Sequence, residues 1–454
     1  MPFSRGRSTS ALTRFRLNAP QAVVLGFLAV IAVGTGLLSL PWAHEPGAEV
    51  TVLDAAFTAV SAVCVTGLIV VDTPAAFSLF GEIVIIVLIQ VGGLGIMLVA
   101  SLIGLTLARR MRLRNRVLTA TENRSVTLGD AGRLARGILL TSLAIEAVLA
   151  VILSLRFAFA YGYDGVNAAW LGIFHAVSSF NNAGFSLFSD SMIGFATDPI
   201  IAIPMCIAII LGGLGFPVLL QLRREFTRPL HWSMNTNIVL SMTAVLLGGG
   251  TIWIAANEWN NPGTIGTMSW GDRLLVAFFH SVQARTAGFN SVDVGLMQPE
   301  TWLGIDILMF IGGGPAGTAG GIKVTTFAVL LFIIITELRG DGAVNIFGKR
   351  LSRAVHRQAI TIALLGAAAV AAATVALMTM THLDLDVLLF EAASAFGTVG
   401  LSTGITGDLP PEAQALLMVL MFLGRLGPLT LGTALVLRER RTLYELPKER
   451  PSIG

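Results

Sequence analysis

The sequence predicts an all-α integral membrane fold: four pseudo-symmetric repeats, each an outer helix, a re-entrant short helix with its loop and an inner helix, around one central pore. Three observations lead there. The 454 residues have a mean hydropathy of +0.78 and only 13% charged side chains, against about 25% in ordinary globular chains. The basic residues are confined to a few segments separated by long apolar runs. Two glycine motifs recur four times, always in the same order.

Several runs approach or exceed the roughly 20 apolar residues that cross a bilayer; residues 22–41, 138–159, 238–256 and 360–380 are the clearest. Of the 30 Lys and Arg, 25 fall in five segments: Arg5, Arg7, Arg14 and Arg16, then 109–136, 223–228, 339–357, and the tail from Arg438. The polar stretches at 42–54 and 162–167 hold none. This is the positive-inside pattern, and it predicts a multi-pass protein of the inner, cytoplasmic membrane with both termini in the cytoplasm. It also turns the net charge of +3 away from a nucleic-acid reading. The first apolar run has no small-x-small cleavage site and reads as a retained helix rather than a signal peptide. Cys64 and Cys206 have neither a disulfide framework nor metal spacing. No nucleophile–base set, zinc-protease pattern or phosphate loop is present, which excludes an enzyme.

The repeats are legible in order. The first carries Phe57-Thr-Ala-Val-Ser-Ala-Val-Cys-Val-Thr-Gly67-Leu68, the second Phe174-His-Ala-Val-Ser-Ser-Phe-Asn-Asn-Ala-Gly184-Phe185. The third, one residue shorter, reads Phe279-His-Ser-Val-Gln-Ala-Arg-Thr-Ala-Gly288-Phe289, and the fourth Phe390-Glu-Ala-Ala-Ser-Ala-Phe-Gly-Thr-Val-Gly400-Leu401. The glycines are 117, 104 and 112 residues apart. A second motif follows each by 24 to 28 residues: Gly92-Gly93-Leu94-Gly95, Gly212-Gly213-Leu214-Gly215, Gly312-Gly313-Gly314-Pro315 and Gly424-Arg425-Leu426-Gly427. One such patch signifies close helix packing; four at matched spacing signify a repeat. The predicted units are 18–110, 132–228, 234–340 and 354–438, with a cytoplasmic tail at 439–454. Eight full spans and four re-entrant loops result.

A run of about 12 residues cannot span a bilayer, so it enters and returns on one side. Non-helical backbone at that depth persists where it is buried or lines water. The turns Val65-Thr66-Gly67, Asn182-Ala183-Gly184, Thr286-Ala287-Gly288 and Thr398-Val399-Gly400 are therefore the expected lining. A ring of backbone carbonyls can replace the hydration shell of a dehydrated monovalent cation, and glycine allows the positive φ that aims them.

These turns, with Asn181 and Arg285 before two of them and Gly424-Arg425-Leu426-Gly427 in the last inner helix, resemble the Trk/Ktr/HKT potassium transporters. The resemblance covers residues 20–438, and a first span beginning near Pro20 makes it greatest with the Ktr branch. It implies K⁺ at the filter carbonyls, Na⁺ as an activating or coupled ion, and a homodimer of pores in membrane lipid. It also implies an RCK-type, nucleotide-binding cytoplasmic ring docking on basic faces such as 109–116 and 340–357. A sodium or mixed sodium/potassium transporter of the same superfamily, and a secondary transporter with broken helices, are the alternatives.

Residues 299–337 form one long, largely apolar stretch, interrupted by Gly312-Gly313-Gly314-Pro315-Ala316-Gly317-Thr318-Ala319-Gly320-Gly321. Such density of Gly and Pro breaks a helix, and the segment resembles the family's intramembrane gating loop. Arg425 stands where Gly93, Gly213 and Gly313 stand in the other repeats. An intramembrane arginine costs about 2.5–3.5 kcal/mol on insertion scales; it reads either as a charge barrier or as a structural partner for loop carbonyls or a carboxylate. Lys323 is open between a second barrier and an interfacial lysine. Glu391 is open between attracting cations and packing, and His175 and His280 read as packing residues. Asp72, Asp190, Asp293 and Asp408 follow the filters and read as an acidic vestibule or as solvated loops.

Overall fold

The computed structural model describes residues 19–116, 128–340 and 342–427. The N-terminal arginines and the tail lie outside them. The basic side chains of 109–116 also lie outside the description. With the repeats numbered as the sequence predicts them, repeat 1 comprises α1 (Ala19–Leu38), α2 (Val52–Cys64) and α3 (Leu79–Arg116). Repeat 2 comprises α4 (Leu128–Tyr161), α5 (Gly165–Phe180), α6 (Pro199–Leu214) and α7 (Phe216–Glu225). Repeat 3 comprises α8 (Met234–Glu258), α9 (Trp270–Gln283), α10 (Pro299–Phe310) and α11 (Val324–Arg339). Repeat 4 comprises α12 (Arg353–Met380), α13 (Leu385–Gly397) and α14 (Pro411–Leu426).

The short helices α2, α5, α9 and α13 are 13 to 16 residues long, or about 20–24 Å at 1.5 Å per residue, less than the roughly 30 Å hydrocarbon core. Three start on side-chain caps. Thr51 and Asp54 form a capping box, while Asp164 and Ser269 accept from the first-turn amides of Val166 and Asp272. Their leading phenylalanines, Phe57, Phe174, Phe279 and Phe390, are all buried. Outward-facing residues of the long helices, such as Val33, Val148, Ile252 and Leu364, are exposed, as lipid contact requires.

Packing follows a regular rule. Each short helix lies against the outer helix of its own repeat. Each inner helix also lies against the short helix of the next repeat: α3 on α5, α6 on α9, α10 on α13, and α14 back on α2. The last pair closes the ring.

The interruption expected at 312–321 is present, and the inner segments depart further from the eight full spans expected. Among the described residues, five helices are long and apolar enough to cross a membrane: Gln21–Leu38, Leu79–Ser101, Gly132–Tyr161, Met234–Glu258 and Arg353–Met380. The sixth candidate is the α6–α7 pair, bent by 103° at Gly215, whose φ of +89° no helix accommodates. Repeat 3 is interrupted between α10 and α11. The described part of α14 stops at Gly427, whose φ of +80° resembles that of Gly215. A proline follows within two residues in each case (Pro217, Pro315, Pro428), whereas repeat 1 continues Gly95-Ile96 as unbroken helix. Proline supplies no N–H to the preceding turn, and the motif runs on as helix in repeat 1 but is interrupted in repeats 2 and 3.

The second glycine motif has a direct packing cause. A Cβ on Gly92, Gly212 or Gly424 would run into the carbonyl oxygen of Val63, Phe180 or Phe396, near the end of its own repeat's short helix. In repeat 3, Gly312 faces Gly320 instead. Gly→Ala in a helix normally gains about 0.5–1 kcal/mol, but forcing a methyl against main chain costs about 1–3 kcal/mol. Gly92→Ala is therefore expected to lower the unfolding temperature in detergent, measured by thermal size-exclusion; an increase would refute the close approach.

Candidate functional site

The site stands on the C-terminal ends of the four short helices. Each ends in a left-handed residue, then one of ordinary φ, then the motif glycine. Val65, Asn182, Thr286 and Thr398 have φ of +55°, +60°, +75° and +51°; Gly67, Gly184, Gly288 and Gly400 have +91°, +71°, +78° and +94°. For branched Val and Thr the left-handed region is strained, and such strain persists where the surroundings over-determine it.

The determining bonds are the same in every repeat. The middle residue donates its N–H to the carbonyl of a polar residue four places after the motif phenylalanine: Thr66 to Ser61 (2.8 Å), Ala183 to Ser178 (2.8 Å), Ala287 to Gln283 (3.0 Å) and Val399 to Ser394 (2.9 Å). That polar residue's side chain also holds the turn. Ser61 Oγ accepts from Gly67 N and Ser394 Oγ from Gly400 N, both at 3.1 Å. Ser178 Oγ donates to the Phe185 carbonyl at 2.8 Å. In repeat 3 the turn is one residue shorter, and the longer Gln283 offers Oε1 to Phe289 N at 3.2 Å. Sequence reasoning passed over Ser61, Ser178, Gln283 and Ser394; their signal is a polar residue recurring at one place in four apolar helices. The carbonyls of Thr66, Ala183, Ala287, Val399 and the four glycines accept no hydrogen bond among the described residues.

The turns touch one another cyclically. A Cβ on Gly67 would strike the carbonyl oxygen of Ala183, on Gly184 that of Ala287, on Gly288 that of Val399, and on Gly400 that of Thr66. All four glycines line one outer cavity of about 300 Å³, together with Asp72, Asp190 and Asp293. Asp408 is not on it; it is exposed in the turn Thr406–Asp408. The cavity's carboxylates are engaged locally: Asp72 accepts from Ser189 Oγ, Asp190 from Gly194 N and Asp293 from Gly295 N.

His175, His280 and Glu391, one place after the motif phenylalanine, brace the segment beyond each glycine. His175 Nε2 accepts from Leu187 N and bonds Ser186 Oγ at 3.1 Å. His280 Nε2 accepts from Ser291 N at 3.3 Å. Glu391 takes the hydroxyls of Ser402 and Thr406.

Directly beneath lies the loop between α10 and α11. Two main-chain bonds close its neck, Gly312 N to Ile322 O (2.8 Å) and Val324 N to Gly313 O (2.9 Å). Its body fills the α6–α7 break: Gly314 N and Thr318 N donate to the freed carbonyls of Gly213 and Gly212, and Phe216 N donates to Ala316 O. A broken helix in the membrane needs such replacement partners. The loop abuts the turns above it, Thr318 Oγ1 being 3.0 Å from Asn182 Oδ1 and Gly320 lying against Thr398 Oγ1.

Five basic residues fall outside the five basic segments, and three of them converge on this loop. Arg425 donates to Thr318 O, and to Gly92 O at 3.0 Å. Lys323 Nζ donates to Ala319 O and Gly320 O. Arg285 donates to Gly312 O at 3.2 Å. None is ion-paired among the described residues. Arg156 pairs instead with Asp198 at 2.7 Å, and Arg273 stacks over Trp259.

Known proteins fit this geometry. The family model for TrkH, described as cation transport protein, matches residues 8–441. The chain is 38% identical to Ktr system potassium uptake protein B of Bacillus subtilis over 415 residues, covering 91% of this chain and 92% of that protein. It is 33% identical to the potassium/sodium uptake protein NtpJ of Enterococcus hirae over 450 residues, covering 97% and 98%. Among solved structures, the potassium transporter TrkH of Vibrio parahaemolyticus matches with a TM-score of 0.74 at 18% identity, over 93% of this chain and 86% of that one, and so shares the fold. These relatives are ion transporters rather than enzymes. On sequence and fold together, the chain belongs to the TrkH family of cation transport proteins.

Proposed function

We propose that the chain takes up potassium across the cytoplasmic membrane through a central pore of four repeats, with the glycine turns as selectivity filter and residues 312–321 plus Arg425 as gate. The observation that carries this reading is the cyclic contact of four positive-φ glycines whose neighbouring carbonyls have no donor among the described residues. A desolvated monovalent cation needs several neutral oxygens at once, and a carbonyl ring supplies them. Alternating left-handed and ordinary φ turns successive peptide planes so that adjacent carbonyls can face one side. The C-terminal ends of four helices add partial negative charge near the same point. Cyclic contact within parallel repeats favours a filter over the midplane substrate site of an inverted-repeat transporter.

The units 18–110, 132–228, 234–340 and 354–438 are the four pore repeats in this proposal. Kinship with the Ktr proteins extends it to Na⁺-assisted uptake, a homodimer in the lipid and an RCK-type cytoplasmic ring. A docking surface for that ring is the hairpin Asn345–Ile346 with Lys349–Arg350, which exposes Phe347, Lys349 and Arg350, beside exposed Arg353. A mixed sodium/potassium substrate is the second reading, favoured by likeness to the potassium/sodium uptake protein of Enterococcus hirae.

The test is complementation of a potassium-uptake-deficient bacterium at low external potassium, with a regulatory subunit co-expressed. Growth supports potassium uptake. Failure of a membrane-inserted wild type to rescue, with sodium flux present, supports the second reading. Within the filter, Ser394→Ala removes the side-chain acceptor of Gly400 N, a loss of about 1 kcal/mol. It is expected to lower potassium-over-sodium preference about fivefold while leaving expression intact, read from competitive Rb⁺ uptake.

A further inference from the structure

We propose that Arg285 is the hinge clamp of the intramembrane loop: from the end of a fixed short helix it holds the loop's neck and sets how readily the loop leaves the pathway. The inference rests on reading 312–321 as the gate.

Arg285 immediately precedes the third filter turn, where the other repeats carry Cys64, Asn181 and Gly397. A cation stands there only in the repeat whose inner segment is the loop. Its side chain is buried and not ion-paired among the described residues. A buried arginine with no carboxylate is costly, so its carbonyl partners matter. One is Gly312, 3.2 Å from Nη2; the other is Thr243 in α8, 3.5 Å from Nη1 and at the outer limit of a hydrogen bond.

Gly312 is the loop's pivot. α10 ends at Phe310, and the Gly312 amide is already committed to Ile322 across the neck. Its carbonyl, in the next peptide unit, accepts from Arg285. The other cations hold different places: Arg425 takes Thr318 in the loop's body, and Lys323 takes Ala319 and Gly320 near its end. Lys323 sits at the start of α11 and Arg425 on the neighbouring inner helix, whereas Arg285 follows directly on α9, which packs on α6 and α8.

The surroundings of Arg285 are not fully packed. A cavity of about 20 Å³ lies among Arg285, Asn182, Thr243 and Gly313, and Arg285 Nε has no partner among the described residues. A shorter side chain at 285 therefore leaves a polar-lined space that water can fill, rather than a collapsed dry core. Arginine is required rather than lysine because one planar head must reach carbonyls on two elements.

The experiment uses the full chain in membrane vesicles with Ala316→Cys as reporter; Ala316 is half-buried in the loop, and native Cys64 and Cys206 are buried. Thiol modification by a water-soluble reagent and Rb⁺ flux without regulatory subunit are measured for wild type, Arg285→Gln, Arg285→Lys and Arg425→Ala. Arg285→Gln is expected to raise both about tenfold, the factor of one charge-assisted hydrogen bond. Arg285→Lys should fall between, at an unchanged melting temperature. If Arg285→Gln does not assemble, Arg285→Lys decides alone. Both quantities rising in Arg425→Ala but staying at wild-type values in the Arg285 variants overturns the clamp and leaves the gate standing. No rise in any variant overturns the gate, and the clamp with it.

Discussion

Replacing Gly288 by serine is expected to reduce Rb⁺ uptake at least a hundredfold and to abolish complementation at low potassium. At φ +78° a side chain costs about 1–2 kcal/mol in backbone conformation alone. The new Cβ would also run into the Val399 carbonyl oxygen, followed by the Gly400 backbone. Those atoms cannot give way: Val399 N is bonded to Ser394 O, and Gly400 N to Ser394 Oγ. Overpacking of this kind adds about 1–3 kcal/mol, and the sum near 3 kcal/mol corresponds to about two decades in occupancy. The affected oxygen is itself a proposed ligand, so damage in repeat 3 is delivered to repeat 4. Gly400→Ser should act as strongly, because its contact with Thr66 is as close, while Gly67 and Gly184 meet their neighbours from slightly farther away. Uptake by Gly288→Ser within twofold of wild type, in a protein that reaches the membrane, would remove the carbonyl ring as the selective element.

The ring was legible in the sequence because each contact in it is made by a residue type with no substitute. A positive-φ glycine pressed on main chain must be glycine, so the motif recurs undiluted in four otherwise divergent repeats. The polar braces Ser61, Ser178, Gln283 and Ser394 were less legible, since what they share is an oxygen at a given reach rather than an identity. Gln283 stands for serine only because the third turn is one residue shorter, a compensation seen once both its carbonyl and Oε1 are found on that turn. The break at Gly215 was hidden for another reason. Gly212–Leu214 reads like Gly92–Leu94, and the difference is Pro217 three residues beyond the shared motif. Glu391 and Lys323 could not be placed from sequence, because a carboxylate beside a filter and one bonded to Ser402 and Thr406 share the same register.

Arg425→Ala is expected to raise Rb⁺ flux in the absence of a regulatory subunit by tenfold or more. The guanidinium holds two carbonyls from different parts of the ring, Thr318 in the loop and Gly92 in α3. A hydrogen bond to a charged group contributes about 1.5–3 kcal/mol, so losing the Thr318 bond alone shifts a closed–open balance by about tenfold or more. A second contribution has the same sign. A unit charge about 8 Å from a passing cation, at an effective dielectric near 20, opposes it by about 2 kcal/mol, and alanine removes that opposition. Arg425→Lys separates the two effects. Lysine keeps the charge but is a compact ammonium without the planar fork, so it should keep the barrier and lose part of the latch. A flux in Arg425→Lys near wild type would make charge the dominant effect, whereas one near Arg425→Ala would make the two-carbonyl latch dominant. Wild-type flux in both variants would mean that Arg425 neither blocks the pathway nor holds the loop, and the loop could then no longer be read as a gate fastened from repeat 4.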